Sequence, residues 1–370
     1  MKKIAILLVL IFFLSSCSTG TNPGQRMSDR GGIDSDGSGL GGGQDDGWRQ
    51  QIAEREKICF DFFKNEMITP QEGVRTNYLD TAHNTDFATG AEVLSESMGM
   101  QMLYAVAIQD EALFKSSLGF VEEYLDTGSI IAYRYSEENG AYRVNAFVDD
   151  IRIIRALISA GGVFDGNYTE LAEKYSDRLY ETNVKNGYIR DMYDEENGAN
   201  NDFITLCYAD LYTIRLLEGV DAKWEKVFAA MRKLVEEGYI SSYASGKYSE
   251  GDIHMTEAVL TALNLARIGD CPQRTVDYLK DSIKNGSVYG TYGRDGTKKG
   301  DTESTAIYAI CALIAKEVHD EEMYRMCIDK MNRFQVTDKK SEIYGAFADP
   351  VSLDLYSFDN LAALLAYSGR

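Results

Sequence analysis

The sequence alternates between two kinds of helical segment with a period of about fifty residues. Segments of the first kind are apolar on nearly all sides, which predicts buried helices. Their predicted starts, which are 54, 52, 53, 49 and 54 residues apart, are Glu96, Asp150, Asp202, Met255, Ser304 and Phe358. Segments of the second kind are amphipathic, so each is expected to bury one face and expose the other. These cover residues 50–64, 111–125, 168–182, 224–236, 274–284 and 321–334.

Six such pairs predict an all-α fold, an (α/α)6 barrel of six helical hairpins with the apolar helices as its inner ring. An open solenoid of helix pairs is the alternative. A solenoid needs a polar helix at its end, whereas the last helical segment of this chain, from Leu361 to Ala366, reads Leu-Ala-Ala-Leu-Leu-Ala. This apolar end favours closure of the ring.

The loops between helices repeat as well. The segment Tyr135-Ser136-Glu137-Glu138-Asn139-Gly140-Ala141 recurs 58 residues later as Tyr193-Asp194-Glu195-Glu196-Asn197-Gly198-Ala199. Asn-Gly favours tight hairpin turns. Each copy precedes a predicted inner helix, so we expect short β-hairpins at one rim of the barrel.

The two ends of the chain differ in character. Residues 1–16 combine Lys2-Lys3 with an apolar run too short to span a membrane, which is typical of a signal peptide. The ending Leu14-Ser15-Ser16-Cys17 resembles a bacterial lipobox, which implies a lipidated Cys17; an ordinary secretory signal is the alternative. Residues 17–47 are rich in glycine and predict a flexible linker, so residues 48–370 form the folded domain.

Charge and cysteine content exclude several classes of function. The net charge of −20 disfavours nucleic acid and an anionic membrane face as partners. The five cysteines after Cys17 include no Cys-x-x-Cys pair, and the three histidines show no His-x-x-x-His spacing, so we predict no metal site. Four of those cysteines, Cys59, Cys207, Cys311 and Cys327, lie in apolar helical patterns and are predicted to be core residues.

Acidic residues stand at or next to the start of every predicted inner helix. Helix capping explains such residues in general, and it is the interpretation we favour for Asp202, Glu303 and Asp359. Glu96 and Asp252 differ, because the first and fourth helices of a six-membered ring face each other. Two carboxylates across a cleft can divide the work of a general acid and a general base on an acetal.

Tyrosine is abundant, with 24 residues, and many of them fall in the predicted rim loops. A tyrosine offers an apolar face to a sugar ring and a hydroxyl to its edge, although ordinary loop packing explains many of them equally well. The candidates for contact with substrate are Tyr78, Tyr135, Tyr193 and Tyr248.

The segment Ser95-Glu96-Ser97-Met98-Gly99-Met100-Gln101-Met102, followed by Asp110-Glu111-Ala112-Leu113-Phe114, resembles the catalytic-acid segment of glycoside hydrolase family 8. Ser95, Glu96, Gly99 and Met102 match the family pattern, whereas Ser97, Met100 and Gln101 replace Gly, Tyr and Gly. The resemblance implies an (α/α)6 barrel and an endo-acting, inverting hydrolase in which Glu96 is the general acid.

Two further segments resemble family signatures. The segment that begins Ala146-Phe147-Val148-Asp149-Asp150 matches the second signature, with Asp150 on its second aspartate by register and Asp149 as the alternative contact with the sugar. Gly251-Asp252-Ile253-His254-Met255 stands where many family members carry Tyr-Asp-Ala-x-Arg. The match implies Asp252 as the general base, and Glu257, one turn further on, is the reserve candidate.

Together these features predict a monomeric enzyme that hydrolyses β-linked polysaccharide, the cell's own exopolysaccharide, on the outer face of a bacterial membrane. Acid–base hydrolysis requires no cofactor. Two alternatives stay open. One is another (α/α)6 enzyme, such as an unsaturated glucuronyl hydrolase or a polysaccharide lyase. The other is a glycan-binding lipoprotein without catalytic activity.

Overall fold

The computed structural model describes residues 41–80, 88–238 and 251–369. In these ranges the chain forms twelve α-helices, which are α1 (Gly41–Glu66), α2 (Ser95–Ala107), α3 (Glu111–Phe120), α4 (Phe147–Gly161), α5 (Tyr168–Asn183), α6 (Leu211–Glu218), α7 (Lys223–Gly238), α8 (Met255–Ala266), α9 (Gln273–Asn285), α10 (Thr305–Glu317), α11 (Glu321–Met331) and α12 (Ser357–Ser368). None of the helices in this part of the chain is both long and apolar enough to span a membrane.

The even-numbered helices form a closed inner ring. Helix α2 packs against α4, α4 against α6, α6 against α8, α8 against α10 and α10 against α12. The ring closes because α12 packs against α2, where the hydroxyls of Ser97 and Ser357 are 2.8 Å apart. The predicted (α/α)6 barrel is therefore confirmed.

Burial follows the predicted division between inner and outer helices. Ten of the eleven positions of α10 from Thr305 to Ala315 are buried and the other, Leu313, is half-buried, so this inner helix has almost no exposed side. Outer helix α9 buries Val276, Leu279 and Ile283, which are spaced to form one stripe. The four cysteines predicted to be core residues are all buried.

Short side-chain caps fix where several helices begin. Asp110, Asp210 and Asp320 each accept a hydrogen bond from the backbone N–H three residues further on, at 2.9, 3.1 and 2.9 Å. A cap of this kind stabilises a helix by about 1 kcal/mol. The caps place the starts of α3, α6 and α11.

Nine two- or three-residue strands lie in the loops, namely β1 (Val93–Leu94), β2 (Arg134–Ser136), β3 (Gly140–Ala141), β4 (Val184–Lys185), β5 (Tyr188–Ile189), β6 (Tyr193–Asp194), β7 (Ala199–Asn200), β8 (Ile253–His254) and β9 (Thr291–Tyr292). The predicted hairpins are β2–β3 and β6–β7, and both are antiparallel. Gly140 and Gly198 turn them with φ of +69° and +61°, a conformation that favours glycine.

Two helix boundaries differ from the prediction. Helix α1 begins at Gly41, inside the segment predicted as a linker, since each residue added to an existing helix gains one hydrogen bond. The third inner helix, predicted to begin next to Asp202, begins at Leu211. A 3-10 turn, Leu206–Tyr208, precedes it, and the side chain of Thr205 is hydrogen-bonded to Asp191 instead of extending the helix.

Candidate active site

Glu96 is the second residue of α2 and its side chain is buried, with 6% of its surface exposed. Burial raises the pKa of Glu96 to about 8, the charge of Asp149 adds to the increase, and Arg152 opposes it. A carboxyl group with this pKa is protonated at neutral pH. Glu96 can therefore donate a proton to a leaving oxygen.

Asp149 is held beside Glu96 by two hydrogen bonds, one to each carboxylate oxygen. The hydroxyl of Ser95 donates to Oδ2 at 3.0 Å, and Nη1 of Arg152 donates to Oδ1 at 2.9 Å. Asp149 and Arg152 are both buried, so the pair is little screened by water. Burial raises the pKa of Asp149, and Arg152 and the hydrogen bond from Ser95 oppose the increase, so both partners favour the ionised form of Asp149.

Helices α2 and α4 approach closely at Gly99, three residues after Glu96, which interacts electrostatically with Asp149 and Arg152 of α4. A Cβ atom at position 99 would lie 3.2 Å from Cγ1 of Ile153 and 3.3 Å from Cγ of Arg152. Such distances are tighter than most Cβ contacts, so a larger residue would force Ile153 or Arg152 to move by a few tenths of an ångström. The spacing of the two helices therefore favours glycine at this position.

Ser97 and Gln101, which stand on α2 where the family pattern has glycine, both pack against neighbouring helices. Ser97 is fully buried and is hydrogen-bonded to Ser357 on α12. The Gln101 side chain donates to the hydroxyl of Ser117 on α3 at 2.8 Å. Both replacements tie α2 to a neighbouring helix and leave Glu96 in its place.

Asp150 faces a different side of α4 from Asp149. Its Oδ2 accepts a hydrogen bond from Asn145 at 2.7 Å, and Asn145 in turn donates to Asn183 on α5 at 2.9 Å. Asp150 also lines a small cavity with Tyr175 and Arg178 of α5. The structure therefore brings Asp149 to Glu96 and places Asp150 between α4 and α5.

The two candidates for the general base lie at the start of α8. Asp252 is exposed and precedes strand β8, whereas Glu257 is half-buried on the first turn of the helix. Burial raises the pKa of Glu257, and His254 opposes the increase. Water reaches Asp252 more freely than Glu257.

Two residues that the sequence did not single out, Tyr208 and Asp191, interact electrostatically with the candidate site residues. Tyr208 is buried, which raises its pKa well above the usual range, and the charges of Asp191, Asp149 and Glu96 add to the effect. Burial raises the pKa of Asp191 to about 7, hydrogen bonds from Thr205 oppose this, and Glu257 adds to it. The sequence analysis predicted Tyr208 to lie inside the third inner helix. In the structure Tyr208 lies just before that helix, which begins at Leu211, and this position would have made it a candidate.

Two of the tyrosines predicted to contact substrate, Tyr78 and Tyr135, pack against other aromatic rings in the structure. Tyr78 lies against Phe62 of α1, with ring centroids 6.0 Å apart. Tyr135 lies 5.7 Å from Phe120 and 5.1 Å from Tyr124. Tyr193 is half-buried in the β6–β7 hairpin. Tyr248 and Cys17 lie outside the described residues.

Two of the acids interpreted as capping residues have structural partners. Oδ1 of Asp359 accepts hydrogen bonds from the backbone N–H of Ala306 at 2.8 Å and from the hydroxyl of Ser304 at 2.9 Å, which caps α10. Glu303 accepts a hydrogen bond from the hydroxyl of Tyr308. Asp202 is exposed. Across the described ranges, no group of three or more His, Cys, Asp or Glu side chains is arranged to hold a metal ion.

Comparison with known proteins gives the same architecture. No protein-family model matches the chain. A solved structure described as a novel alpha-amylase from Clostridium perfringens is 31% identical, with a TM-score of 0.79, over 85% of this chain and 97% of that chain. The Bacillus subtilis protein YdaJ, named as a candidate lipoprotein, is 24% identical over 295 residues, which are 76% of this chain and 80% of YdaJ.

Two more distant structures share the fold. A GH8 xylobiose complex from Teredinibacter turnerae is 14% identical, with a TM-score of 0.60, over 86% of this chain and 93% of that chain. The endo-beta-1,4-glucanase CMCax from Acetobacter xylinum is 16% identical, with a TM-score of 0.60, over 87% of this chain and 98% of that chain.

The closed ring of six inner helices is the architecture of the six-hairpin glycoside hydrolases. The motif around Glu96, the closed ring of helices and the likeness to solved structures define the family more narrowly. The chain belongs to glycoside hydrolase family 8.

Proposed function

We propose that this protein is an inverting glycoside hydrolase that cleaves a β-linked polysaccharide by acid–base catalysis. Glu96 donates a proton to the glycosidic oxygen, and Asp252 activates the water that attacks the sugar from the other side. Asp149 takes the contact with the sugar that the sequence register gave to Asp150. Glu257 is the alternative base.

The observation that carries this proposal is the burial of Glu96 at the start of α2, close enough to Asp149 and Arg152 to interact with their charges. Burial and the Asp149 charge raise its pKa to about 8, so Glu96 keeps its proton at pH 7. An exposed glutamate with the ordinary pKa of about 4.3 would have lost its proton at that pH. The burial of Glu96 supports its role as the proton donor, and the exposure of Asp252 supports its role as the base that activates water.

The linkage of the substrate has two candidates. The fold shared with the endo-beta-1,4-glucanase CMCax supports a β-linked glycan. The structure that is 31% identical to this chain is described as an alpha-amylase, which makes an α-linked glucan the second candidate. An inverting mechanism serves either linkage, because the acid and base roles do not depend on the configuration of the bond that breaks.

We place the enzyme on the outer face of the membrane, anchored through lipid on Cys17. The lipobox-like sequence before Cys17 supports this location, and so does the likeness to YdaJ. Replacement of Cys17 by Ala should release the protein from the membrane fraction. A Cys17→Ala variant that stays with the membrane would contradict the lipid anchor.

The experiment that tests the activity measures reducing ends released from matched polysaccharides. The panel contains barley β-glucan, carboxymethylcellulose, xylan, chitosan, amylose and the exopolysaccharide of the source cell, each incubated with wild-type protein and with the Glu96→Gln variant. Activity of the wild-type protein on a β-linked member supports the proposal, and activity on amylose alone assigns the second candidate. Binding without turnover across the panel would contradict the enzyme assignment.

A further inference from the structure

Asp191 connects two segments that carry residues of the site. Its backbone carbonyl accepts a hydrogen bond from the N–H of Phe147, the first residue of α4, at 2.8 Å. Its carboxylate accepts two hydrogen bonds from Thr205, one from the backbone N–H at 2.9 Å and one from the hydroxyl at 2.7 Å. The side chain is buried, with 7% of its surface exposed.

Each of these two contacts lies close in the chain to a residue that interacts electrostatically with Glu96, either Asp149 or Tyr208. Asp149 stands two residues after Phe147 on the first turn of α4. Tyr208 ends the 3-10 turn that follows Thr205, and its N–H donates to the carbonyl of Thr205 at 2.9 Å. The position of Tyr208 therefore follows from the position of Thr205, and Asp191 fixes Thr205.

We propose that the side chain of Asp191 is a positioning group, which sets Tyr208 in place near Glu96 by holding Thr205, while the backbone carbonyl of Asp191 anchors the start of α4. This inference rests on the proposed function, because the geometry it concerns is that of the hydrolytic site. Asp191 itself makes no contact with the reacting atoms in this account.

The electrostatic surroundings of Asp191 fit a role beyond simple packing. Both carboxylate oxygens are directed to Thr205, and the negative charge of Glu257 raises the pKa of Asp191 in addition to burial. Holding a carboxyl group next to a second one is unfavourable. Groups held at such a cost concentrate at functional sites.

Two substitutions separate the hydrogen bonds of Asp191 from its charge. In Asp191→Asn the amide oxygen still accepts from the N–H of Thr205, and the amide nitrogen can donate to the hydroxyl. In Asp191→Ala both bonds are lost. Asp359→Ala is the matched control, because Asp359 is also buried and also accepts from one backbone N–H and one hydroxyl, at the start of α10.

The first measurement is steady-state hydrolysis of the polysaccharide that the wild-type protein cleaves. Asp191→Ala is expected to lower kcat by about a hundredfold, the loss that a misplacement of about 1 Å produces. Its KM should stay within about threefold of the wild-type value, because substrate binding is retained. Asp191→Asn and Asp359→Ala should keep kcat within about fivefold.

The second measurement does not depend on activity. Amide hydrogen exchange of the peptide that covers residues 203–210 should be faster in Asp191→Ala than in the wild-type protein, and unchanged in Asp191→Asn and Asp359→Ala. If the wild-type protein cleaves no polysaccharide, the proposed function fails, and this exchange experiment still decides whether Asp191 holds the Tyr208 segment.

Three results would overturn the inference. One is normal kcat in folded Asp191→Ala. Another is a loss in Asp191→Asn as large as in Asp191→Ala, which would mean that the charge itself takes part in the reaction. The third is exchange of residues 203–210 in Asp191→Ala at the wild-type rate.

Discussion

The starts of α2 and α8 present their carboxylates in opposite ways. Glu96 on α2 is buried, and its neighbours Asp149, Arg152 and Ser95 are joined by hydrogen bonds. Asp252, just before α8, is exposed. A general acid benefits from burial, which keeps its proton on, and a general base benefits from access to water. The difference between the two regions thus supports a division of roles.

The largest effect is expected from removing the proton donor. Glu96→Gln should lower polysaccharide hydrolysis by at least about a thousandfold, because general acid catalysis contributes roughly 10²–10⁴. The measurement is release of reducing ends at pH 6. Glu111→Gln, the same chemical change on outer helix α3, is the control and should leave the rate unchanged.

The second largest effect is expected from removing the general base at the start of α8. Asp252→Asn should lower kcat by about a hundredfold or more, whereas Glu257→Gln should lower it by less than about tenfold. Both variants are compared by kcat on one substrate. The opposite ranking would show that the half-buried Glu257 is the base. The acid and the base would then no longer be a buried and an exposed carboxyl group.

A smaller effect separates the adjacent aspartates of α4. Asp149→Asn should lower kcat/KM by about ten- to a hundredfold, because it removes the charge next to Glu96. Asp150→Asn should stay within about threefold, since Asp150 contacts Asn145 between α4 and α5. Equal losses in the two variants would contradict the assignment of the sugar contact to Asp149.

The smallest effect is a shift in pH dependence. Glu96 works only when protonated, so kcat/KM of the wild-type enzyme should fall as the pH rises through about 8. The Asp149 charge raises the pKa of Glu96 and Arg152 lowers it. The alkaline limb should therefore move to lower pH in Asp149→Asn and to higher pH in Arg152→Gln. A limb at the same pH in both variants would show that another group titrates there.

The sequence pattern predicted most of the fold, because a helix that is apolar on nearly all sides can be recognised as buried from its sequence. The period located α2, α4, α8, α10 and α12 to within a few residues, and the Asn-Gly repeats located two hairpins. The same period misplaced the start of α6. The helix does not extend back to Thr205, whose backbone N–H and hydroxyl are hydrogen-bonded to Asp191, fourteen positions earlier in the chain. Local periodicity contains no information on such contacts.

The candidate site was predicted less completely than the fold. Glu96 followed from its motif, but adjacent residues such as Asp149 and Asp150 differ only in which side of α4 they occupy. A shift of one residue in a motif cannot decide that, whereas the hydrogen bonds to Ser95 and Asn145 can. Tyr208 was missed because its approach to Glu96 depends on the shortened third inner helix.

The most direct test of the account compares two leaving groups in the wild-type enzyme and Glu96→Gln. In the natural polysaccharide the leaving group is the hydroxyl oxygen of the next sugar, which must be protonated as it departs. In an oligosaccharide with a 2,4-dinitrophenyl group the leaving group is dinitrophenolate, which departs without a proton. The account predicts a loss of at least about a thousandfold on the polysaccharide and a loss of less than about tenfold on the dinitrophenyl substrate. Equal losses on both substrates would contradict Glu96 as the general acid.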